Sequence, residues 1–468
     1  MNFADLRFWL LLLGALSCAL LVRIPVAYFR GESIGGYDRA SLGIVGLFLL
    51  GCVSIQTLVI FTAVSMITFA GLHMIVGFSR DQESQRKWLL PLIALQVAPL
   101  LWYKYGDFFG NGILNLGLSG VVHVAIPIGI SFYTFQLVSF AVDTLVHGRP
   151  LPSAVNSLNF AGFFPQIVAG PIERRDALLP QLEKFRYRWD RKLVETGLSW
   201  IILGLFFKRC MADNLAANAL HYDGGNPYLI WLDTLLFGFR IYFDFCGYSL
   251  MALGVACCLG IRLTLNFRSP YCARNIGDFW RRWHVTLSTW FRDYIYIPLG
   301  GGRTAFWASN ILIVFVVSGI WHGAGWNFIV WGALHGLFLV AFRLSGKISL
   351  PLFVAYGLTH LSVFFAWLCF YETNTAELFR KIGILLSPST YLDGAFGEFT
   401  TTLLSVSGFN ILAILLMVLA IVVLEALSLK WSEKPYEAFR SRLIVVLMIF
   451  LTVFLAPTGK NEFIYFAF

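Results

Sequence analysis

Residues 275–336 read NIGDFWRRWHVTLSTWFRDYIYIPLGGGRTAFWASNILIVFVVSGIWHGAGWNFIVWGALHG, and the stretch changes character half-way along. Up to Arg303 it is basic and aromatic. From Ala305 to Phe342 it contains no Asp, Glu, Lys or Arg. That apolar length suits two membrane crossings at about 20 residues each. Three histidines fall here: His284 in the basic half, His322 and His335 in the apolar half. An ionisable side chain inside a span is expensive and marks a functional position by default. His322 is the sharpest case, flanked by Trp321 and by Gly319, Gly323 and Gly325, which let another backbone or a substrate come close. It either bonds a neighbouring helix or does chemistry. His335 has no charged companion and reads as structural. His284 has Asp278, Arg281, Arg282 and Arg292 near it, which suits the mouth of a water-filled site or a bond at a helix end.

Composition carries the same reading to the whole chain. Of 468 residues 58% are hydrophobic and 13% charged, and the mean hydropathy is +0.73. A soluble protein carries about 25% charged residues, so a soluble fold is excluded. Repeated apolar runs near bilayer length predict an all-α polytopic membrane bundle of about ten to twelve spans with re-entrant or interfacial helices. The simplest organisation is one membrane domain over residues 1–468. The net charge of +9 reads as the Lys and Arg excess of cytoplasmic loops rather than as a nucleic-acid footprint. It also suits anionic substrates and membrane lipid headgroups. The eight cysteines form no CxxC pair and read as small hydrophobes, so neither a disulfide framework nor a metal site is expected.

Along the chain, Phe8 to Val22 is the first span rather than a leader. Ala40 to Phe78 holds two short helices, Ser79 to Lys87 (SRDQESQRK) is a surface loop, and Trp88 to Tyr103 spans again. Val124 to Asp143 is apolar but carries Pro127, Ser131, Thr134 and Gln136, as a helix inside a bundle does. Phe163 to Lys192 is too broken by Pro165, Gly170 and Pro171 to cross, and reads as re-entrant before a basic cytoplasmic loop. Glu195 to Phe207 forms a helix ending at Lys208 and Arg209. Pro227 to Leu259 places Arg240 and Asp244 four apart, where they pair on one face. The Arg262 to Arg303 block suits interfacial helices. Spans are expected at Trp307–Gly319, Asn327–Phe342, Leu350–Phe370, Leu403–Leu429 and Leu443–Phe454, with LFRKIGILL from Leu378 on the surface.

RNIGDFWRRWHVTLSTWFRDYIYIPLGG and SGIWHGAGWNFIVWGALHG, together with IPIGISFYTFQLVSFAVD, FFPQIVAGPIERRDALLPQL, IYFDFCGYS and the closing FIYFAF, resemble the membrane-bound O-acyltransferase (MBOAT) superfamily. The likeness is to its bacterial branch of alginate O-acetyltransferases. It runs from about Gly106 onward, and the N-terminal spans are less distinctive. The resemblance implies that His322 is the catalytic histidine and that His284 of WRRWH belongs at or near the site. It also implies acyl-CoA, acetyl-CoA in this branch, as donor substrate with no bound cofactor. Periplasmic partner proteins and a multi-pass place in the bacterial inner membrane are implied as well. Arg281, Arg282 and Arg292 are then the candidates for meeting the donor's phosphates. One departure stands out: where the branch reads GYSDMA, this chain has Leu250 for the acid, which bears on acceptor identity or local polarity. The residues themselves support the chemistry. A neutral imidazole is a suitable base for a sugar hydroxyl, worth typically ~10²–10⁴-fold, and a thioester needs no metal to activate it. Two other readings remain open at this point: an enzyme that completes transfer alone onto a lipid-linked glycan, and a polysaccharide transport component with His322 as a proton-relay residue.

Overall fold

A computed structural model describes residues 3–30, 34–79, 81–113, 125–167, 170–346, 350–392, 394–459 and 463–464. Residues 31–33 of the Gly-rich loop after the first span, Arg80, Val124 and residues 465–468 of the closing FIYFAF lie outside that set. Among the described residues the chain is helical, and seven helices are long and apolar enough to cross a membrane. They are Leu6–Phe29, Gly35–Val53, Ile55–Phe78, Pro227–Cys258, Trp326–Leu344, Leu352–Tyr371 and Val406–Ser432. Three shorter apolar helices, Ile130–Leu145, Trp307–His322 and Arg442–Leu455, join them. In hydrocarbon no water satisfies a backbone amide, so a spanning chain closes its hydrogen bonds within each helix.

The chain divides into two compact units. The first comprises Met1–Ile201 with Met251–Thr264. Its outermost helix, Leu6–Arg30, is almost wholly exposed, as a helix bathed in lipid must be. The helices behind it are tied by polar side chains. Arg23 Nε lies 2.8 Å from the fully buried Asp38, and Gln96 Nε2 donates to Thr68 Oγ1 (2.9 Å) and to the Leu137 carbonyl (3.3 Å). Arg175 donates to Thr144 Oγ1 at 2.8 Å and to the Pro150 carbonyl, and lies 4.4 Å over the Phe140 ring. Burial pushes the Glu173 carboxyl up, against the lowering effect of the amide and hydroxyl that Thr264 donates to it.

Two expectations change in this unit. The Ser79–Lys87 loop contains a helix, Gln82–Lys87, because Asp81 accepts from the Ser84 amide at 2.7 Å and caps it. The basic loop after Pro171 likewise folds a helix, Arg175–Glu183.

The second unit comprises Ile202–Leu250 with Leu265–Phe468. The expected Arg240–Asp244 pair does not form. Lys208, itself buried, reaches Asp244 at 2.8 Å and Asp213 at 2.9 Å, and Arg209 completes the group at 2.6 Å from Asp213. The other Asp244 oxygen accepts the Ile464 amide at 2.7 Å. Two buried carboxylates demand cations at equal depth. Lys208 supplies one, and Arg240 stays half-exposed. The helix does not end at Lys208 and Arg209 but widens to a π turn over Phe206–Ala212 and continues to Ala217. The segment from Leu378 lies in the helix Thr375–Leu386, which buries Leu378, Lys381 and Leu385 on one face. All eight cysteines are free.

Candidate active site

In the second unit Trp307–His322 and Trp326–Leu344 form a tight antiparallel hairpin. Its closeness is set by Gly319 and Gly332. A Cβ on Gly319 would come within 2.2 Å of the Phe328 carbonyl oxygen, and one on Gly332 within 2.2 Å of the Phe315 carbonyl oxygen. No other residue fits at either position. The hairpin therefore ends with His322 as the last helical residue, turned in and only 4% exposed. Its ring stands edge-on to Trp331 (5.0 Å between centroids) and Phe370 (5.1 Å), and next to Trp321 (4.9 Å).

His335 lies behind this group, one helix face further along. It is fully buried, 4.8 Å from the Trp331 ring and 5.0 Å from Trp280, and neither ring nitrogen has a hydrogen-bond partner among the described residues. It fills an aromatic cage.

His284 arrives from another direction. The loop before it returns to the chain at Arg268 and Asn266, where the Arg268 amide donates to the Arg282 carbonyl and the Val285 amide to the Asn266 carbonyl. His284 itself adopts φ 41° and ψ 53° before the helix Val285–Phe291, a left-handed conformation costly for a residue with a Cβ. It is fully buried, and Nδ1 lies 3.1 Å from Asn266 Oδ1. That oxygen also accepts the Thr286 amide (3.3 Å) and hydroxyl (2.9 Å), which identifies it as the carbonyl end of the amide. Nδ1 must then carry the proton, and Nε2 holds the lone pair. Burial pushes the imidazole down to about 3, so His284 is neutral at physiological pH. Its ring meets Phe245 at 4.7 Å and Trp321 at 6.1 Å. Trp321 thus touches both His284 and His322, and the fold brings together the two histidines that the sequence separates by a basic loop and a span.

The arginines divide. Arg281 and Arg292 line an open cavity of about 440 Å³ whose walls include Trp280, Phe291, Tyr296 and Phe315. Trp280 and Phe315 also pack on His335. Arg282 does not line it. Its guanidinium is held by Asp278 at 3.1 Å and by the Arg268 carbonyl at 3.2 Å. Asn266 was not singled out in the sequence. It sits 18 residues before its partner in a segment without periodicity, and only the folded loop reveals it. Leu250, at the departure from GYSDMA, is 1% exposed, a place where an acid would need a buried partner. The one acidic group with metal-ligand spacing among the described residues, Asp223, Glu372 and Glu377, lies around the Lys381 ammonium, 2.9 Å from Glu372.

Residues 43–374 match the model of the MBOAT, membrane-bound O-acyltransferase, family. The chain belongs to that family. Among its relatives is the probable alginate O-acetylase AlgI of Pseudomonas aeruginosa, 33% identical over 390 residues that cover 80% of this chain and 74% of the relative. A peptidoglycan O-acetyltransferase of Helicobacter pylori is 33% identical over 338 residues, 64% of each chain. A teichoic acid D-alanyltransferase of Bacillus subtilis is 32% identical over 285 residues, 55% of this chain and 67% of the relative. This MBOAT chain is therefore a multi-pass membrane O-acyltransferase.

Proposed function

We propose that this enzyme takes an acetyl group from cytoplasmic acetyl-CoA and passes it across the bacterial inner membrane. The acceptor is an extracytoplasmic polysaccharide or other cell-envelope glycan, reached directly or through a periplasmic partner protein. The observation that carries the reading is the meeting of His322 and His284 at Trp321 inside a helical membrane unit. His322 is the base. It takes the proton of the attacking hydroxyl as the C–O bond forms at the thioester carbonyl. The C–S bond then breaks, and the thiolate leaves to be protonated as CoA. His284, neutral and with its Nε2 lone pair set by Asn266, supports the same proton traffic. Arg281 and Arg292 at the cavity mouth meet the donor's phosphates, where guanidinium groups bind well. Arg282 braces the segment through Asp278.

The test is release of free CoA from acetyl-CoA by purified protein, wild type beside His322→Ala, with candidate glycans added with and without an extracytoplasmic partner. Turnover that disappears in a folded mutant supports the reading. Equal turnover in both removes His322 as the base. Glycan movement in proteoliposomes without any turnover would instead favour a transport component.

A further inference from the structure

Glu425 is the one charged residue between Val406 and Leu429. It is fully buried on the inward stripe of the helix Val406–Ser432, in register with Ile411, Ile414, Val418 and Ile421, where an aliphatic side chain is expected. An acid inside a span is expensive and marks a functional position by default. Its partner is a phenol rather than a cation. Tyr242, on the helix Pro227–Cys258, donates its hydroxyl to Glu425 Oε1 at 2.6 Å. The Tyr242 and Tyr436 hydroxyls lie 2.9 Å apart. Tyr242 has given its one proton to the carboxyl, so Tyr436 is the donor between the two. Tyr436 in turn accepts the Ser269 amide at 3.2 Å. All four residues are fully buried. The hydrogen bonds thus run in one direction, from the Ser269 amide through two phenols to the carboxyl that ends the chain.

Ser269 closes the segment Asn266–Ser269 that holds His284. The other grips on that segment are the Arg268 amide on the Arg282 carbonyl (2.9 Å) and the Val285 amide on the Asn266 carbonyl (2.8 Å). Ser269, His284 and Tyr436 all adopt left-handed backbone, with φ of 51°, 41° and 62°. Such residues persist only where their surroundings over-determine them. Tyr436 is held by a tight reversal after its helix: Ser428 Oγ donates to the Lys434 carbonyl at 3.0 Å and accepts the Ala438 amide at 3.1 Å. Ser269 is held by Tyr436, and His284 by Asn266 three residues before Ser269. An aliphatic residue in place of Glu425 would leave the Tyr242 hydroxyl buried without its acceptor and the chain without a direction.

We propose that Glu425, Tyr242 and Tyr436 are positioning residues for the reaction: through Ser269 they fix the segment whose Asn266 sets the His284 tautomer. That His284 takes part in acyl transfer rests on the reading above, but its tautomer is measured without substrate. The full chain, labelled with ¹³C,¹⁵N-histidine, is studied in lipid bilayers by magic-angle-spinning NMR, with His284 assigned by its absence in His284→Asn. Turnover of acetyl-CoA is followed in parallel. Wild type should show the His284 proton on Nδ1 alone. Glu425→Leu and Tyr436→Phe should add the Nε2–H form and lower kcat about tenfold, with the donor KM little changed. Glu425→Gln, whose amide carbonyl still accepts from Tyr242, should keep the wild-type tautomer and lose at most about twofold in kcat. Tyr436→Phe removes one hydroxyl and keeps the ring, so it tests the same link should Glu425→Leu fail to fold. A wild-type proton on Nε2, a tautomer unchanged in Tyr436→Phe, or Glu425→Gln as impaired as Glu425→Leu would overturn the proposal. A purely structural network would lower the melting temperature without moving the tautomer, and that result too would overturn it. A tautomer that shifts while kcat holds would keep the brace and remove His284 from the reaction, a failure of the earlier reading alone.

Discussion

The hairpin that carries His322 and the short-helix segment that carries His284 lie in the same unit, yet they bury an imidazole by different means. At His322 the work is done by shape: two glycines bring the helices together, and Trp321, Trp331 and Phe370 close around the ring. At His284 it is done by polarity: a left-handed backbone presents the ring to Asn266, which holds its tautomer. The aromatic wall keeps water from His322, the proposed base, so that the proton it takes up comes from the acceptor. A ring held through one nitrogen has its other nitrogen defined. Removing His322 should therefore cost most. His322→Ala is expected to lower acceptor-dependent CoA release by about 10²–10⁴-fold with the protein still folded, and a loss no greater than that of His284→Ala would reverse the assignment of roles.

The packing side of the comparison is broken at Gly332. In Gly332→Leu the new side chain meets the Phe315 carbonyl, which belongs to rigid helical backbone and cannot give. Overpacking costs ~1–3 kcal/mol or more. The expected result is a clear fall in melting temperature with activity lost. Gly357, beside open space on the helix Leu352–Tyr371, is the control, and Gly357→Ala should be near neutral.

The polar side is read by pH. An unfolded chain protonates a histidine near pH ~6.5, whereas the folded protein holds His284 down to about 3. Between these values the unfolded state binds more protons. The stability associated with neutral His284 is therefore complete above ~6.5 and falls with pH, by up to ~1.4 kcal/mol per unit. Unfolding in nanodiscs between pH 7 and pH 4 should show this slope, and His284→Asn, which tolerates the left-handed backbone, should flatten it. A smaller effect is expected for Asn266→Leu. Without the Oδ1 acceptor the tautomer is free, and turnover should fall about tenfold, equivalent to ~1.4 kcal/mol, with the donor KM little changed.

The two regions also differ in how far the sequence announces them. The hairpin was legible because a charge-free run with two histidines and spaced glycines has few other readings, and the observed helices Trp307–His322 and Trp326–Leu344 fall within a few residues of the expected spans. The surroundings of His284 were not. Its partner Asn266 and its left-handed turn depend on a loop returning upon itself, which no local period encodes. The same limit explains Asp244: four-residue spacing made Arg240 its natural partner, but Lys208 on another helix took the place. The helix Gln82–Lys87 differs again, for Asp81 before Gln-Glu-Ser is a capping signal that was present and overlooked.

The faintest effect should come from the cavity mouth, and it sharpens the comparison because it depends on neither histidine. Arg281 and Arg292 are largely exposed, with 72% and 58% of their side-chain surface open, and their visible acid partners are Asp278 at 3.8 Å and Asp293 at 2.8 Å. Ion pairs at that exposure are worth ~0.2–1 kcal/mol and are screened by salt. Replacing either by Ala should therefore raise the donor KM about two- to fivefold at low ionic strength, leave kcat alone, and lose most of its effect as salt is added. Arg282→Ala should behave differently. It frees Asp278 and the Arg268 carbonyl and slackens the turn that leads to His284. Its cost should appear in kcat and persist at high salt. If all three arginines responded alike to salt, the division between two phosphate-facing residues and one brace would be lost.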